Sequence, residues 1–266
     1  WQLKGYENPN YTNINYPYPC DPPFVPDDNP CGVYSRDFEI ENKWGKVYFV
    51  LEGVSSCAFL YINDKYVGFT QGSHLTAEFD ITDFVNKGKN NVVIKVLKWC
   101  VGSYLEDQDF FRYNGIFRDV YILQRPANQI VDVEIIPDNN AINVKISGDA
   151  NIKIFAKDRL ICDENINNEF SFTPESPILW NAEKPFLYTV LLERNGEIIE
   201  FKSGLRNIEI SKNYELLING VSVKLHGVNH HDTNKFNGWC QTQEELRRDL
   251  ELMKELNINC VRTSHY

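Results

Sequence analysis

Positive charge is scarce in this sequence. Against 37 Asp and Glu stand 27 Lys and Arg, a net charge of −10. No basic cluster offsets that excess, so nucleic-acid backbones and anionic membrane surfaces are poor partners. No apolar run approaches the roughly 20 residues that span a bilayer. The seven cysteines, Cys20, Cys31, Cys57, Cys100, Cys162, Cys240 and Cys260, are odd in number and include no CxxC pair. That argues against a disulfide framework or a structural zinc site and for free thiols in a reducing cytoplasm. GxSxG, Walker and GxGxxG motifs are absent, and Cys240 has no base near it in sequence to make it a nucleophile. The first residues form no secretory leader. They also lack Met, and an opening on Trp1 reads as a cut end.

What is present is the composition of a folded protein, 42% hydrophobic and 13% aromatic. At roughly 100–200 residues per domain, 266 residues make two or three domains. From Val33 to Leu123 short aromatic-rich runs alternate between turn signals, among them Val47–Leu51, a hairpin about Asn63-Asp64-Lys65, and Val92–Leu97 as a central strand. A jelly-roll β-sandwich is expected, ending at Arg125-Pro126. A second set of strands follows, including Val131–Ile136, Ile142–Ile146, Ile152–Phe155 and Tyr188–Glu193. Their spacing suggests an immunoglobulin-like sandwich, with the Asn-rich stretch Asn165–Asn168 as a turn. Then Val221–Val228 alternates like a strand, and Thr242 to Glu245 is a capping box that opens a helix with Leu246, Leu250 and Met253 in phase. Asn257 closes that helix, and Ile258–Arg262 is a further strand. Strand, helix, strand is the unit of a parallel sheet, and one unit cannot bury both faces of such a sheet. The chain stops at Tyr266 where a larger α/β domain is expected to start. The expected domains are therefore 1–126 (jelly roll), 127–207 (immunoglobulin-like) and 208–266 (barrel start).

Two places concentrate chemistry. Ser103 to Arg112 holds Glu106, Asp107 and Asp109 among aromatics. It reads either as a solvated acidic loop or as a loop that binds a hydroxylated ligand or a hard cation through carboxylate oxygen. Gly227-Val228-Asn229-His230-His231-Asp232 follows a barrel-type strand, and residues at the C-terminal ends of such strands line barrel active sites. Neighbouring His230 and His231 face opposite ways, so they are not a chelating pair. One of Asn229, His230 and His231 is the functional candidate, the other reading being a hydrogen-bonded loop histidine. His265, beside Arg262 and Ser264, falls at the matching level of the next strand. His74 reads as a surface loop residue.

These segments resemble glycoside hydrolase family 2, in its bacterial lac-type β-galactosidase branch. The matching motifs include Trp1-Gln2, Tyr11–Pro17, Pro22–Pro26, Gly102–Asp109, Gly115–Val120, Leu179-Trp180, Gly204–Arg206, Gly227–His231 and Val261–Tyr266. The resemblance implies a mainly β chain, in which a jelly roll and an immunoglobulin-like sandwich precede the first strand-helix-strand of a (β/α)₈ TIM barrel. It implies substrate-binding roles for Asn13, Asp109, His231 and His265, with Asp109 also holding sodium. Asn229 is a neighbouring candidate, and His230 stands where the family commonly has Arg. The activity implied is retaining hydrolysis of terminal β-D-galactosides such as lactose. Retention needs two carboxyl groups about 5–5.5 Å apart. By resemblance both are Glu residues on later barrel strands, with the magnesium ligands, beyond Tyr266. The 266 residues alone are therefore expected to be inactive and to need the remainder of the barrel, in a cytoplasmic homo-oligomer that uses Na⁺ and Mg²⁺. The alternatives are a carbohydrate-binding or assembly fragment, or the related β-glucuronidase and β-mannosidase specificities. Asn13 and the Ser103–Asp109 run favour the galactosidase.

Overall fold

The structure is a computed structural model that describes residues 1–12, 16–106 and 108–265. By its contacts the chain divides into two units: Trp1–Gln124 together with the segment from Gly227 onward, and Arg125–His226.

The first unit is built on two antiparallel sheets. A four-stranded sheet runs in the order Cys31–Ile40, Gly88–Leu97, Cys57–Ile62, Lys65–Gln71. A three-stranded sheet runs Val120–Arg125, Lys46–Leu51, Ala77–Asp80. Period-two alternation sends Val92, Ile94 and Val96 of the long central strand inward, where they meet Val47, Phe49, Leu51, Leu60 and Ile62. The Asn63-Asp64 hairpin forms as the sequence predicts, both residues having positive φ (49° and 62°) as a two-residue primed turn requires. The predicted strand Ile116–Leu123 is interrupted: Gly115–Ile116 pairs with Val54–Ser55, and Val120–Arg125 belongs to the three-stranded sheet.

In the second unit the hairpin of Ile142–Ala156 with Arg159–Phe172 carries most of the sheet. One end pairs with Glu134–Pro137, the other with Tyr188–Arg194 and through it Glu197–Ser203. A register shift between Lys145 and Asp149 bends the hairpin, yet Ile142, Val144 and Ile146 before it and Ala150, Ile152 and Ile154 after it enter one core. Asn165–Asn168 is not a turn. It lies inside a strand, with Ile166 buried, and only Asn168 departs, at φ 61°, where its side chain accepts the Gly148 N–H at 2.9 Å. Composition suggested a turn because Asn favours one, but the cross-strand partners decide here. Arg194 ties the unit's end together by donating to the carbonyls of Ser147 (2.6 Å) and Gln129 (3.2 Å).

The single strand expected over Val221–Val228 is two. Val221–Ser222 folds back on Leu216–Ile218 through an Asn219-Gly220 turn with both φ positive (52° and 76°). Gly227–His230 then pairs in parallel with Cys260–Thr263, from Gly227 opposite Cys260 to His230 opposite Thr263. An alternating pattern does not record where a strand changes partner. Between the parallel strands lies helix α1 (Gln243–Glu255). Its capping box forms as read: Thr242 Oγ1 accepts the Glu245 N–H at 3.2 Å, and Glu245 Oε2 accepts the Thr242 N–H at 2.8 Å. No described helix is long and apolar enough to cross a membrane.

Candidate functional site

The acidic run splits by role. Val101–Glu106 is a 3₁₀ turn clamped by the buried Arg112, which donates to the Ser103 carbonyl (3.2 Å), the Glu106 carbonyl (3.1 Å) and Ser56 Oγ (3.2 Å). Glu106 is structural: its carboxylate accepts the backbone N–H (2.5 Å) and the hydroxyl (2.7 Å) of Ser73. Asp107 lies outside the described residues. Asp109 is exposed, just ahead of the strand Phe110–Arg112, which pairs with Asn10–Thr12. That pairing brings Tyr11, whose hydroxyl donates to Asp109 Oδ1. The bond raises the Tyr11 phenol above its usual value, since ionising it would remove the donor and set a second anion beside the first.

At the ends of the parallel strands the side chains alternate as expected. His230 points to the helix: its Nε2 lies 3.1 Å from Asp249 Oδ2 and its Nδ1 3.3 Å from Asp232 Oδ1. Asp249 also accepts from Gln241 at 3.0 Å, and the His230 bond is the chief cause that lowers its carboxyl. His230 thus joins a strand end to α1. His231 faces the other way. Its ring stacks on Phe110 (6.1 Å between centroids) and meets His265 edge-on at 5.7 Å. Gln108 Nε2 donates to the His265 carbonyl at 3.2 Å. Burial, then the neighbouring His265, lowers the His231 imidazole, while the charge of Asp109 opposes the shift. Asp109, His231 and His265 are therefore neighbours. Asn229 accepts a 3.4 Å bond from Arg262, which also donates to the buried Ser264 (3.3 Å). Asn13 lies outside the described residues.

Behind this group sits a residue the sequence did not single out. Trp239 is 7% exposed, and its ring lies 4.6 Å from His74, 4.9 Å from Phe117, 5.3 Å from Tyr113 and 5.4 Å from Phe110. Beside it Gly238 has φ 58°, and a Cβ there would come within 2.9 Å of the Tyr113 ring, so glycine is required on both counts. The loop after the first parallel strand is thereby pinned to the sandwich. His74 is not a surface residue: it lies in this aromatic cluster, where burial first, then Arg118 and Arg112, lowers its imidazole to about 4. Its sequence context, Gly72-Ser73-His74, gave no sign of the Trp more than 150 positions away.

The oxygen donors suit hydroxyl groups or a hard monovalent cation better than a transition metal. Among the described residues no group of three or more His, Cys, Asp or Glu could hold a metal ion.

Comparison with known proteins gives the class. Residues 1–126 match the family model "Glycosyl hydrolases family 2, sugar binding domain", and residues 208–266 match "Glycosyl hydrolases family 2, TIM barrel domain". The chain belongs to glycosyl hydrolase family 2. Over its whole length it is 43% identical to a protein of Actinobacillus pleuropneumoniae and 41% identical to one of Staphylococcus xylosus, both named Beta-galactosidase. It spans 28% of the length of each. The structure of a Ruminococcus gnavus Beta-glucuronidase matches 88% of this chain and 44% of its own at TM-score 0.77 and 21% identity. A Bifidobacterium dentium beta-glucuronidase matches 88% and 49% at TM-score 0.77 and 22% identity. At that identity the two structures speak for the fold alone.

Proposed function

We propose that this chain supplies the sugar-holding wall of a retaining β-galactosidase that hydrolyses terminal β-D-galactosides such as lactose. The observation that carries this is the gathering of Asp109, His231 and His265 in one group, from a sandwich loop and from the ends of two parallel strands. An exposed carboxylate accepts hydrogen bonds from sugar hydroxyls, and imidazoles can donate or accept across the same ring. Asn13 lies two positions beyond Tyr11 and is the fourth member we assign. The names borne by the curated relatives favour galactose over glucuronate.

The chemistry itself needs an acid/base and a nucleophile about 5–5.5 Å apart, and we assign neither role to these residues. The chain alone is expected to bind weakly and turn nothing over. Sodium is assigned to the Asp109 carboxylate, and magnesium to residues outside this chain. A homo-oligomer in the cytoplasm completes the reading, in keeping with seven free thiols.

The test is kinetic, in the active enzyme that contains this sequence. Asp109→Ala and His265→Ala are each expected to lower kcat/KM on nitrophenyl β-galactoside by about 100-fold or more, the usual cost of lost substrate positioning. Near-normal rates in both would refute the site. Faster turnover of the β-glucuronide or β-mannoside would replace the substrate and leave the site.

A further inference from the structure

Two of the seven free cysteines are partners. Cys57 opens the strand Cys57–Ile62, opposite Leu97 on one side and Gln71 on the other, and is 4% exposed. Cys100 comes three residues after Leu97. There the chain bends back, so Cys100 Sγ lies 3.7 Å from the carbonyl of Ser56, the residue just before Cys57. That contact and the strand register set Cys100 beside Cys57. Cys100 is only half-buried and sits at the start of the 3₁₀ turn Val101–Glu106, with Ser103 Oγ 3.8 Å from its sulfur.

We propose that Cys57 and Cys100 are an oxidation site, closing to a reversible disulfide by exchange with a low-molecular-weight disulfide such as oxidised glutathione. The pair is asymmetric in the way exchange requires. The neighbouring Cys57 first, then the Ser103 hydroxyl and the backbone N–H groups of Ser103 and Gly102, lower the Cys100 thiol below its usual value. The neighbouring Cys100, then burial, raises Cys57. Cys100, the less buried of the two, is the attacking thiolate and Cys57 the resolving group.

In the first step Cys100 Sγ bonds to one glutathione sulfur, the glutathione S–S bond breaks, and one glutathione thiolate leaves. In the second, Cys57 gives up its proton, its sulfur attacks Cys100 Sγ, and the second glutathione leaves. Two protein S–H groups are oxidised and one glutathione disulfide is reduced to two thiols. The new bond fastens a strand end to the turn that Arg112 clamps and that leads to Gln108 and Asp109. No CxxC spacing marks the pair, because the two residues lie 43 positions apart and meet only through the strand register.

The experiment exposes the folded protein to oxidised glutathione, quenches with acid, alkylates remaining thiols under denaturing conditions, and maps peptides without reduction. The expected result is a Cys57–Cys100 linked peptide and an intact mass lower by about 2 Da, both reversed by dithiothreitol. Cys57→Ala is expected to leave Cys100 carrying one glutathione, since nothing resolves it. Recovery of Cys57 and Cys100 as alkylated thiols while Cys20, Cys31 and Cys240 carry glutathione would overturn the proposal. So would a Cys100–glutathione adduct that persists in the unmutated protein. Both readings come from the unmutated chain and do not depend on how the variant folds.

Discussion

The sandwich of residues 125–226 and the strand-helix-strand segment from Gly227 onward answer the same problem differently. The sandwich closes on itself: alternate residues of Tyr188–Arg194 are buried without exception, and Ile152, Ile154, Val190 and Leu192 have no exposed surface. The βα segment does not. Helix α1 has no buried residue, and Leu250, Leu252 and Leu256 are each more than half exposed. What fixes that segment is local polar bonding at its caps, the His230 bridge to α1, the Gln108 bond to the His265 carbonyl, and two rings, Trp239 and His231, set against aromatic residues of the jelly roll. The sandwich is thus stabilised by area removed from water, about 25 cal/mol per Å², whereas the segment depends on a few anchors.

Substitutions can break that contrast. The largest effects are expected from Leu192→Ala and Trp239→Ala, each about 2–5 kcal/mol by the usual cost of emptying a buried site. They should differ in reach. Leu192→Ala lowers the denaturation midpoint of the sandwich alone, while Trp239→Ala raises hydrogen exchange across 231–265 and leaves the sandwich unmoved. Equal exchange in both regions for either variant would show that the two regions are one cooperative unit.

A middle-sized effect follows from His74. Its imidazole titrates at about 4 in the folded protein, against 6.5 in the free side chain. Between those values the unfolded chain binds more protons, so stability is complete above pH 6.5 and falls as pH drops toward 4, by at most about 3 kcal/mol. His74→Gln should flatten the stability curve over that window. Parallel curves for the two proteins would remove His74 as the cause.

The smallest effects lie on α1. Thr242→Ala should cost about 1 kcal/mol through the lost cap. Leu250→Ala should stay within about 0.5 kcal/mol, as an exposed position does. A cost for Leu250→Ala near that of Leu192→Ala, measured by urea titration, would mean that this face is covered in solution.

Legibility follows the same division. The jelly-roll strands, the Asn63-Asp64 hairpin and the α1 capping box were readable because each is a local rule: period-two burial, positive φ in a primed turn, a reciprocal cap. Where a local rule had two outcomes the reading failed. Asn165–Asn168 has turn chemistry but strand partners, and Val221–Val228 alternates through a change of partner. Near the strand ends, the alternation of His230 and His231 was legible from strand geometry. Tyr11, Gln108 and Trp239 were not, because each acts on a residue brought near only by folding.

The sequence by itself determined the order of the main elements, through short-range periodicity and capping, and the family, through its motifs. The tertiary structure alone decided that Glu106 is spent on Ser73 while Asp109 stays exposed, that His74 is enclosed by rings, and that Cys100 reaches the peptide just before Cys57. Those outcomes depend on which distant segments the cores bring together, and pairing across such distances leaves no mark on the spacing of the residues that take part.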